Sequence, residues 1–234
     1  MAAGYGRLFS LWIYVIIFIK RIYNFKNTLT LLAVLFYICR VICEISMAII
    51  REVLGFVPKI GKGCFIAENA AVIGDVVMGD DCSIWYGAVL RGDVNAIRLG
   101  DRVNIQDGAV LHTLYRRSVV EIGNDVSVGH NAVIHGAKIG NNVLVGMGAV
   151  LLDNVVVPDN TVIAAGAVVL SNSVLEPGVY AGIPARKVKD SSESVAQMTK
   201  NNAAGYLRYK EWFLNPDARD EARNGSPENA GKEN

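Results

Sequence analysis

The 234-residue chain contains only three histidines, and all of them lie in its middle third: His112, His130 and His135. Imidazole nitrogens bind zinc at about 2.0–2.1 Å, and a set of three leaves a fourth position open for a reacting molecule. A single surface histidine is more often a solvated side chain than a ligand, so these three matter only if the fold brings them together. The elements that position them therefore decide what chemistry the chain can support.

An aliphatic residue recurs every six positions through the segment that contains the histidines. The register slips by three residues after Leu90 and by five after Leu111, and one residue is dropped after Ile134. An α-helix has no period of six, whereas a prism of short parallel strands does, with about 18 residues in each coil and coils about 4.8 Å apart. The pattern predicts a mainly β protein, a parallel β-helix of a little over six coils across residues 60–175. The inward positions are Ile60, Ile66, Val72, Met78, Ile84, Leu90, Leu99, Ile105, Leu111, Ile122, Val128, Ile134, Ile139, Val145, Leu151, Val157, Ile163, Val169 and Leu175.

A second series with the same period accompanies the first. Four residues after each regular inward position stands a small or β-branched residue, from Cys64 and Ala70 to Ala167 and Ser173. Such residues would fit near the corners of a prism. A glycine often follows the inward residue, as at Gly100, and we expect it to serve the tight turns there.

Counting along the repeat places the histidines on the faces of this prism. His112 and His135 each follow an inward residue, and one full coil separates them once the inserted residues 114–118 are discounted. The two imidazoles should therefore stack on one face, about one strand spacing apart, where they could share a metal. His130 should lie about a third of a turn away, out of easy reach within one chain. A neighbouring chain in a threefold homotrimer could supply it.

Three segments resemble the gamma-class carbonic anhydrases and their close bacterial homologues. They are Arg91-Gly-Asp93, the run from Asn104-Ile-Gln106-Asp107 to His112, and the run from His130 to His135. The likeness covers roughly residues 55–213, and it includes an ending, Tyr180-Ala-Gly-Ile-Pro184-Ala, that hexapeptide acyltransferases share. The resemblance implies a left-handed sense for the β-helix, zinc as the metal with Fe²⁺ as the second candidate, and sites at the interfaces of a homotrimer.

The resemblance further implies an enzyme that hydrates CO₂ to bicarbonate through a metal-bound hydroxide. Gln106 would hydrogen-bond that hydroxide, with Asn104 near it, and Tyr206 on a C-terminal helix could reach toward the site. Archetypal members carry two further acidic residues that shuttle protons, and Val94 and Tyr115 stand in their places here. We therefore expect the activity to be weak.

A polar network beside the metal is also implied by the resemblance. Arg91 would pair with Asp107 across the subunit boundary, and Asp93 would belong to the same network. These three residues have a purely structural interpretation as the ion pairs that fix a trimer. Both roles can hold together, since groups behind a metal ligand often serve both.

Two other classes of function stay open. A hexapeptide acyltransferase or acyl-CoA thioesterase would use the same scaffold, because many activities share it. With all three histidines assigned to a metal, however, none is left as the general base for acyl transfer. The third class is a catalytically silent trimeric scaffold that keeps its metal for stability.

The remaining segments differ in composition and periodicity from the repeat domain, which we assign to residues 47–190. Residues 191–214 have helical periodicity behind an N-cap at Ser191 or Ser192, and their stripe of apolar side chains should pack on the prism. The inward members of that stripe are Val195, Met198, Asn202, Tyr206, Tyr209 and Phe213. Residues 215–234 are polar and charged, which predicts a disordered tail.

The first 46 residues are apolar and sparsely charged. Their two uninterrupted apolar runs are shorter than the roughly 20 residues that a spanning helix needs. Two interpretations stay open: a pair of marginal membrane helices, or a gene start set too far upstream, with Met47 as the natural beginning. The second interpretation predicts a cytoplasmic protein, and the first one attached to a membrane through residues 1–46.

Composition excludes some partners. Lys and Arg total 23 against 22 for Asp and Glu, a net charge of +1, so no polyanion-binding surface and no nucleic-acid partner is expected. The four cysteines are Cys39, Cys43, Cys64 and Cys82, and they form no CxxC pair. We expect reduced thiols in a reducing compartment, with Cys64 and Cys82 stacked one coil apart.

Overall fold

The computed structural model describes residues 48–215, which form a prism of short parallel strands followed by one helix. The predicted parallel β-helix is confirmed, with about seven turns rather than a little over six. The proposed N-terminal extension and the tail from residue 216 onward lie outside the described residues. No helix within residues 48–215 is long and apolar enough to cross a membrane.

The strands are short because each side of a coil holds only one hexapeptide. They are β1 (Ile49–Arg51), β2 (Phe65–Ile66), β3 (Ala71–Met78), β4 (Ser83–Ile84), β5 (Val89–Leu99), β6 (Asn104–Ile105), β7 (Val110–His112), β8 (Val120–Ile122), β9 (Ser127–Val128), β10 (Val133–His135), β11 (Lys138–Ile139), β12 (Leu144–Val145), β13 (Val150–Leu151), β14 (Val156–Val157), β15 (Val162–Ile163), β16 (Val168–Val169), β17 (Gly178–Ala181) and β18 (Arg186–Asp190). The helix α1 spans Glu193–Leu214.

Parallel pairing stacks these strands into the three faces of the prism. The first face contains β2, β4, β6, β9, β12, β15 and β17, with β18 antiparallel at its end. The second begins with β1 and contains the first halves of β3 and β5, then β7, β10, β13 and β16. The third contains the second halves of β3 and β5, then β8, β11 and β14. Thus β3 and β5 are long because they continue around a corner.

The inward aliphatic series forms the core. Sixteen of the nineteen predicted positions are buried in the core. Ile66 and Leu175 are partly buried and pack against it. Ile60, in the first coil, is 38% exposed. These three exceptions lie toward the two ends of the stack, where fewer coils cover a side chain. The repeat therefore predicts the core correctly, and burial is incomplete only where the stack ends.

The glycines after the inward residues have a different cause from the one expected. Gly100 has no positive φ, and a Cβ placed on it would lie 2.6 Å from Asn124 Oδ1 and 2.8 Å from the carbonyl carbon of Gly123. The positive φ values occur two residues later, as at Arg102 with φ +55°. The tight-turn explanation was therefore wrong, because glycine is required here by the close approach of the next coil.

A ladder of Asp and Asn side chains runs along this same corner. Each side chain accepts a hydrogen bond from a backbone N–H in the preceding coil, at 2.6–2.9 Å. We call this set the corner ladder; its members are Asp80, Asp101, Asn124, Asn141 and Asp159. It satisfies backbone donors that a short strand cannot pair at a corner.

Helix α1 packs against the first face. Ser192 is its N-cap and accepts a hydrogen bond from the N–H of Val195 at 3.3 Å, which satisfies a donor that has no partner within the helix. The predicted helix is confirmed, but its predicted stripe is wrong at Met198, which is 48% exposed. The fully buried positions are Val195, Thr199, Ala203 and Lys210.

Small and polar side chains explain this correction to the helix face. The Thr199 hydroxyl donates to Asn142 Oδ1 at 2.8 Å, and the small side chain at 203 lets the helix lie close to the prism. Lys210 Nζ reaches the Gly63 carbonyl at 2.6 Å and Asp81 Oδ1 at 2.7 Å. A stripe drawn from apolar residues alone misses these contacts.

The two described cysteines are free thiols in equivalent surroundings. Cys64 Sγ lies 3.3 Å from the Gly79 carbonyl oxygen, and Cys82 Sγ lies 3.2 Å from the Gly100 carbonyl oxygen. The expectation of reduced, stacked thiols agrees with this geometry. Cys82 is buried, whereas Cys64 is only half-buried because it lies nearer the end of the prism.

Candidate metal centre

The second face brings two of the three histidines together. His112 at the end of β7 and His135 at the end of β10 are direct partners in the parallel pairing of those strands. Their ring centroids lie 5.3 Å apart, and His112 Nδ1 lies 3.3 Å from His135 Nε2. The predicted stacking of these two imidazoles is confirmed.

Each ring is held on its other nitrogen by a carboxylate. Asp93 Oδ1 lies 3.2 Å from His112 Nε2, and Asp153 Oδ2 lies 3.0 Å from His135 Nδ1. An ionised carboxylate only accepts hydrogen bonds, so these contacts place the ring protons on the outer nitrogens. The two inner nitrogens then present lone pairs to each other, an arrangement that is repulsive without a cation or proton between them.

The separation of the inner nitrogens fits a metal. Two ligands of a tetrahedral zinc ion, each at about 2.05 Å, are about 3.3–3.4 Å apart. The 3.3 Å between His112 and His135 matches this value. A carboxylate behind a ligating histidine is also the usual arrangement in metal sites, where it fixes the tautomer and orients the ring.

Arg91 sets the charge on one side of the pair. Its Nη1 lies 2.7 Å from Asp93 Oδ2. Burial raises the pKa of Asp93, but the hydrogen bond and charge of Arg91 outweigh it and hold that pKa below its usual value. Burial lowers the pKa of His112, and the Arg91 charge lowers it further. Both effects favour an ionised Asp93 beside a neutral His112.

The third histidine lies on a different face of the same chain. His130 follows β9 on the first face, its Nδ1 is 2.7 Å from Asp107 Oδ2, and the Tyr206 hydroxyl is 3.4 Å from its Nε2. The side chains of His130 and Asp107 are 39% and 44% exposed. Within residues 48–215 of one chain, no three His, Cys, Asp or Glu side chains converge on a common metal position.

The two amide side chains implied by the resemblance accompany His130 and not the histidine pair. Gln106 follows β6 on the first face, and its Nε2 donates to Asn104 Oδ1 at 3.0 Å. Asn104 Nδ2 in turn donates to the Ser127 hydroxyl at 2.8 Å. Both amides are almost fully buried. Burial, followed by the charge of Asp107, raises the pKa of Tyr206 to about 12.

The chain therefore carries two separate clusters of polar side chains. The second face holds His112 and His135 with Asp93 and Arg91, and the first face holds Asn104, Gln106, Asp107, His130 and Tyr206. Arg91 bonds Asp93 and Asp107 bonds His130 within this chain, so the pairing of Arg91 with Asp107 across a boundary stays a prediction. Tyr115 is 59% exposed with the Arg116 guanidinium 5.0 Å from its ring centroid.

One partner of the histidine pair was missed from the sequence. Asp153 contacts His135 although no motif marks it. The repeat did contain a signal, because Ile134 pairs with Leu151 and the residue two places beyond Leu151 therefore lies next to His135. Listing the polar residues in the coil that follows a histidine would have found Asp153.

Comparisons with known proteins agree with the repeat and with the histidine motifs. The family model for the bacterial transferase hexapeptide, of six repeats, matches residues 58–92, 119–153 and 136–171. The carbonic anhydrase of Geobacillus kaustophilus is 44% identical over 59% of this chain and 76% of its own length. The mitochondrial gamma carbonic anhydrase 2 of Arabidopsis thaliana is 42% identical over 64% of this chain and 56% of its own length.

A solved structure shares the fold over a similar span. The hexapeptide transferase family protein from Anaplasma phagocytophilum has a TM-score of 0.66 and 34% identity, covering 70% of this chain and 98% of its own. Its described class differs from that of the two relatives, so the fold alone does not choose between hydration and acyl transfer.

Proposed function

Because the chain belongs to the gamma-class carbonic anhydrase family of hexapeptide-repeat proteins, we propose that it is a zinc-dependent enzyme that hydrates CO₂ to bicarbonate. The site is formed between subunits of a homotrimer. Each site takes the second face of one chain and the first face of its neighbour. Bound zinc supplies Lewis acidity, which makes a water molecule nucleophilic near neutral pH.

One observation carries this proposal. His112 Nδ1 and His135 Nε2 face each other at 3.3 Å while Asp93 and Asp153 hold the opposite ring nitrogens. This is the donor set, spacing and tautomer that a tetrahedral zinc requires from two of its ligands. Imidazole ligands also suit Fe²⁺, which is the second candidate metal.

The neighbouring chain completes the site with His130. Asp107 holds its Nδ1 at 2.7 Å, so Nε2 is the nitrogen left for the metal, and Tyr206 marks the open side of that nitrogen. His130 is partly exposed and therefore accessible to a second subunit. Three histidines then bind the metal and one position stays open, as in catalytic zinc sites.

The amides of the first face would position the reacting water. Gln106 Nε2 is engaged by Asn104 Oδ1, which leaves Gln106 Oε1 as the acceptor for a proton of that water. Asn104 in turn donates to the Ser127 hydroxyl, so this chain of hydrogen bonds fixes the orientation of the Gln106 amide. A fixed acceptor of this kind orients the attacking lone pair toward CO₂.

Proton removal should limit the rate. Val94 is apolar, and Tyr115 is exposed to solvent. Neither can replace a carboxylate as a general base near neutral pH. We therefore propose slow hydration that buffer can accelerate.

Acyl transfer is the second candidate, favoured by the likeness to the Anaplasma hexapeptide transferase family protein. All three histidines have carboxylate partners in this chain, and all three are assigned to the metal. Acyl transfer would need one of them as a general base. A silent scaffold would keep the metal without either activity.

Stopped-flow CO₂ hydration and acyl-CoA turnover, measured on one zinc-loaded preparation, test the proposal. A second preparation loaded anaerobically with Fe²⁺ identifies the better metal, and the His135→Ala variant is the negative control. Zinc-dependent hydration that disappears in the variant supports the proposal. Turnover of acyl-CoA without hydration supports the transferase, and full metal occupancy with neither activity supports the scaffold.

A further inference from the structure

We infer that Ser118 is a positioning residue for His135 and acts on it through Asp153. The inference rests on the proposed metal site and goes beyond it. It gives a role to the inserted residues 114–118, which the six-residue repeat does not explain. It also adds Ser118 and Asp153 to the residues on which metal binding depends.

The contact between Ser118 and Asp153 is short and partly buried. The Ser118 hydroxyl lies 2.6 Å from Asp153 Oδ1, and Ser118 is only 5% exposed. Asp153 uses its other oxygen, Oδ2, for His135 Nδ1 at 3.0 Å. One carboxylate thus joins the inserted loop to the imidazole, with a separate oxygen for each partner.

The direction of each hydrogen bond follows from the number of protons. The N–H of Leu114 donates to the Ser118 hydroxyl oxygen at 2.9 Å. The single hydroxyl proton is therefore free to point at Asp153 Oδ1. Asp153 then accepts one hydrogen bond on each of its two oxygens. A carboxylate accepting in this way keeps the proton of His135 on Nδ1 and the lone pair on Nε2.

The loop is braced so that the Ser118 hydroxyl cannot easily turn away. Asn95 Nδ2 donates to the Ser118 carbonyl at 2.8 Å, which fixes the backbone of the loop. Gly136, the residue after His135, makes room on the other side. A Cβ at Gly136 would lie 2.1 Å from Ser118 Oγ and 2.6 Å from Asp153 Oδ1. Any other residue at position 136 would displace the contact.

The two halves of the histidine pair are therefore supported in parallel ways. Arg91 holds Asp93, which holds His112. Ser118 holds Asp153, which holds His135. The first support is a salt bridge and the second is a hydrogen bond between a hydroxyl and a carboxylate. Groups of this kind behind a metal ligand typically change metal affinity about 10- to 100-fold when removed.

Zinc affinity of the full-length protein tests the inference, measured by competition with a chromophoric chelator. Ser118→Ala should weaken zinc binding about 10-fold. Asp153→Asn should weaken it at least as much. The matched control is Ser173→Ala, which removes a hydroxyl that donates to the Leu170 carbonyl at 2.7 Å, remote from the histidines. Size-exclusion chromatography and thermal melting establish that each variant has the fold and assembly of the wild type.

The tautomer of His135 gives a second readout that does not require activity. The chain has only three histidines, so ¹⁵N-histidine spectra of the metal-free, tag-free protein contain only three imidazoles. Ser118→Ala should lower the share of His135 that carries its proton on Nδ1, and Ser173→Ala should leave it unchanged. If Ser118→Ala changes both the zinc affinity and the His135 tautomer, Ser118 positions His135. If the variant only lowers the melting temperature and changes neither, Ser118 has a structural role and the inference is overturned.

The same measurements separate this inference from the proposed function. If the wild type binds no zinc, the metal site itself is wrong, and the inference is wrong with it. If the wild type binds zinc and Ser118→Ala binds it equally with an unchanged His135 tautomer, only the inference about Ser118 is wrong.

Discussion

Asp107 lies 2.7 Å from His130 Nδ1 and therefore gives His130 the same kind of carboxylate partner that His112 has in Asp93 and His135 has in Asp153. The three Asp–His contacts are distributed over two faces of the prism, two on the second and one on the first. Since each imidazole has one ring nitrogen held by an aspartate, we expect all three to serve as metal ligands. One chain alone does not bring the three together on a common metal position.

This arrangement predicts complementation between defective subunits. His112→Ala and His130→Ala should each abolish zinc binding, because each removes one ligand from every site. When the two variants exchange subunits in equal amounts, a boundary between an intact His112 and an intact His130 is restored in each mixed trimer. Random exchange should then recover about one site in four. Zinc analysis of the exchanged mixture measures this recovery.

An intrachain site would give no recovery at all. A mixture of His112→Ala with His135→Ala is the matched control, because both ligands come from the second face of one chain. Every site in this mixture keeps one defect, so no zinc should be recovered however the subunits exchange. No zinc in the first mixture, with subunit exchange established by mass spectrometry of the mixed trimers, would mean that His130 is not donated across a boundary.

Gln106→Leu should reduce hydration without removing the metal. The substitution keeps the volume and deletes the acceptor proposed to orient the reacting water, while His112, His130 and His135 are untouched. We expect kcat/KM to fall about 100-fold with zinc content unchanged. Gln197→Leu, at an exposed position on α1, is the control and should have wild-type kinetics. Equal activity of both variants would rule out the role assigned to Gln106.

Lys210 should anchor the end of α1 to the prism. Its side chain is 3% exposed and contacts Asp81 and the Gly63 carbonyl. Lys210→Met keeps the aliphatic stem and removes both polar contacts, so we expect a loss of about 1–3 kcal/mol in the free energy of unfolding. Lys200→Met, on the exposed side of the same helix, should change stability little. Urea denaturation at a fixed protein concentration compares them.

Two glycine substitutions should have effects of opposite sign. Gly100→Ala would place a methyl group 2.6 Å from Asn124 Oδ1, and overpacking of this kind should destabilise the protein by about 1–3 kcal/mol. Gly205→Ala lies within α1, where the nearest atom to a new Cβ would be 3.7 Å away. It should stabilise the protein by about 0.5–1 kcal/mol, since alanine favours helix. Thermal melting of the two variants shows whether the signs differ.

The two stacked cysteines should react at different rates. A hydrogen bond from Cys82 lowers the pKa of Cys64 to about 7 although burial opposes it, and the same contact and burial raise the pKa of Cys82. Because the thiolate is the nucleophile, alkylation of Cys64 should rise with pH through about 7 and then level off, while Cys82 stays protected. Peptide mass spectrometry follows each site separately.

Cys82→Ala tests the cause of this difference. Loss of the hydrogen bond should move the midpoint for Cys64 to higher pH and slow its alkylation at neutral pH. A native disulfide between Cys64 and Cys82 would contradict both this prediction and the expectation of a reducing compartment.

The sequence predicts the prism well because one periodic requirement, an inward aliphatic side chain on every side of every coil, is repeated many times. The same counting places His112 opposite His135, because the insertion at 114–118 leaves the strands on both sides in register. Counting also separates His130 from the pair. These features depend on position along the repeat, which a sequence shows directly.

Contacts at corners and on the helix were harder to predict. Asp153 reaches His135 from the following coil, because Leu151 pairs with Ile134 and the turn after Leu151 therefore lies beside the imidazole. Lys210 is buried through polar contacts that its residue type does not suggest. In both cases the contact depends on the direction in which the side chain points. The six-residue period does not give that direction, either in a turn of the prism or on the helix.

All hydrogen bonds of the corner ladder run in the same direction along the prism, so the two ends of the stack differ in the polar groups that they leave unpaired. Each backbone donor at that corner depends on a side chain that belongs to the following coil, as Asp80 N–H depends on Asp101 and Asp101 N–H depends on Asn124. Detaching the C-terminal coil would expose a backbone donor of the remaining stack, whereas detaching the N-terminal coil would expose a side-chain acceptor. Helix α1 crosses these coils on the first face, from Asn142 beside Thr199 to Gly63 and Asp81 beside Lys210, and so joins the middle of the stack to its first coils by contacts that do not depend on the ladder.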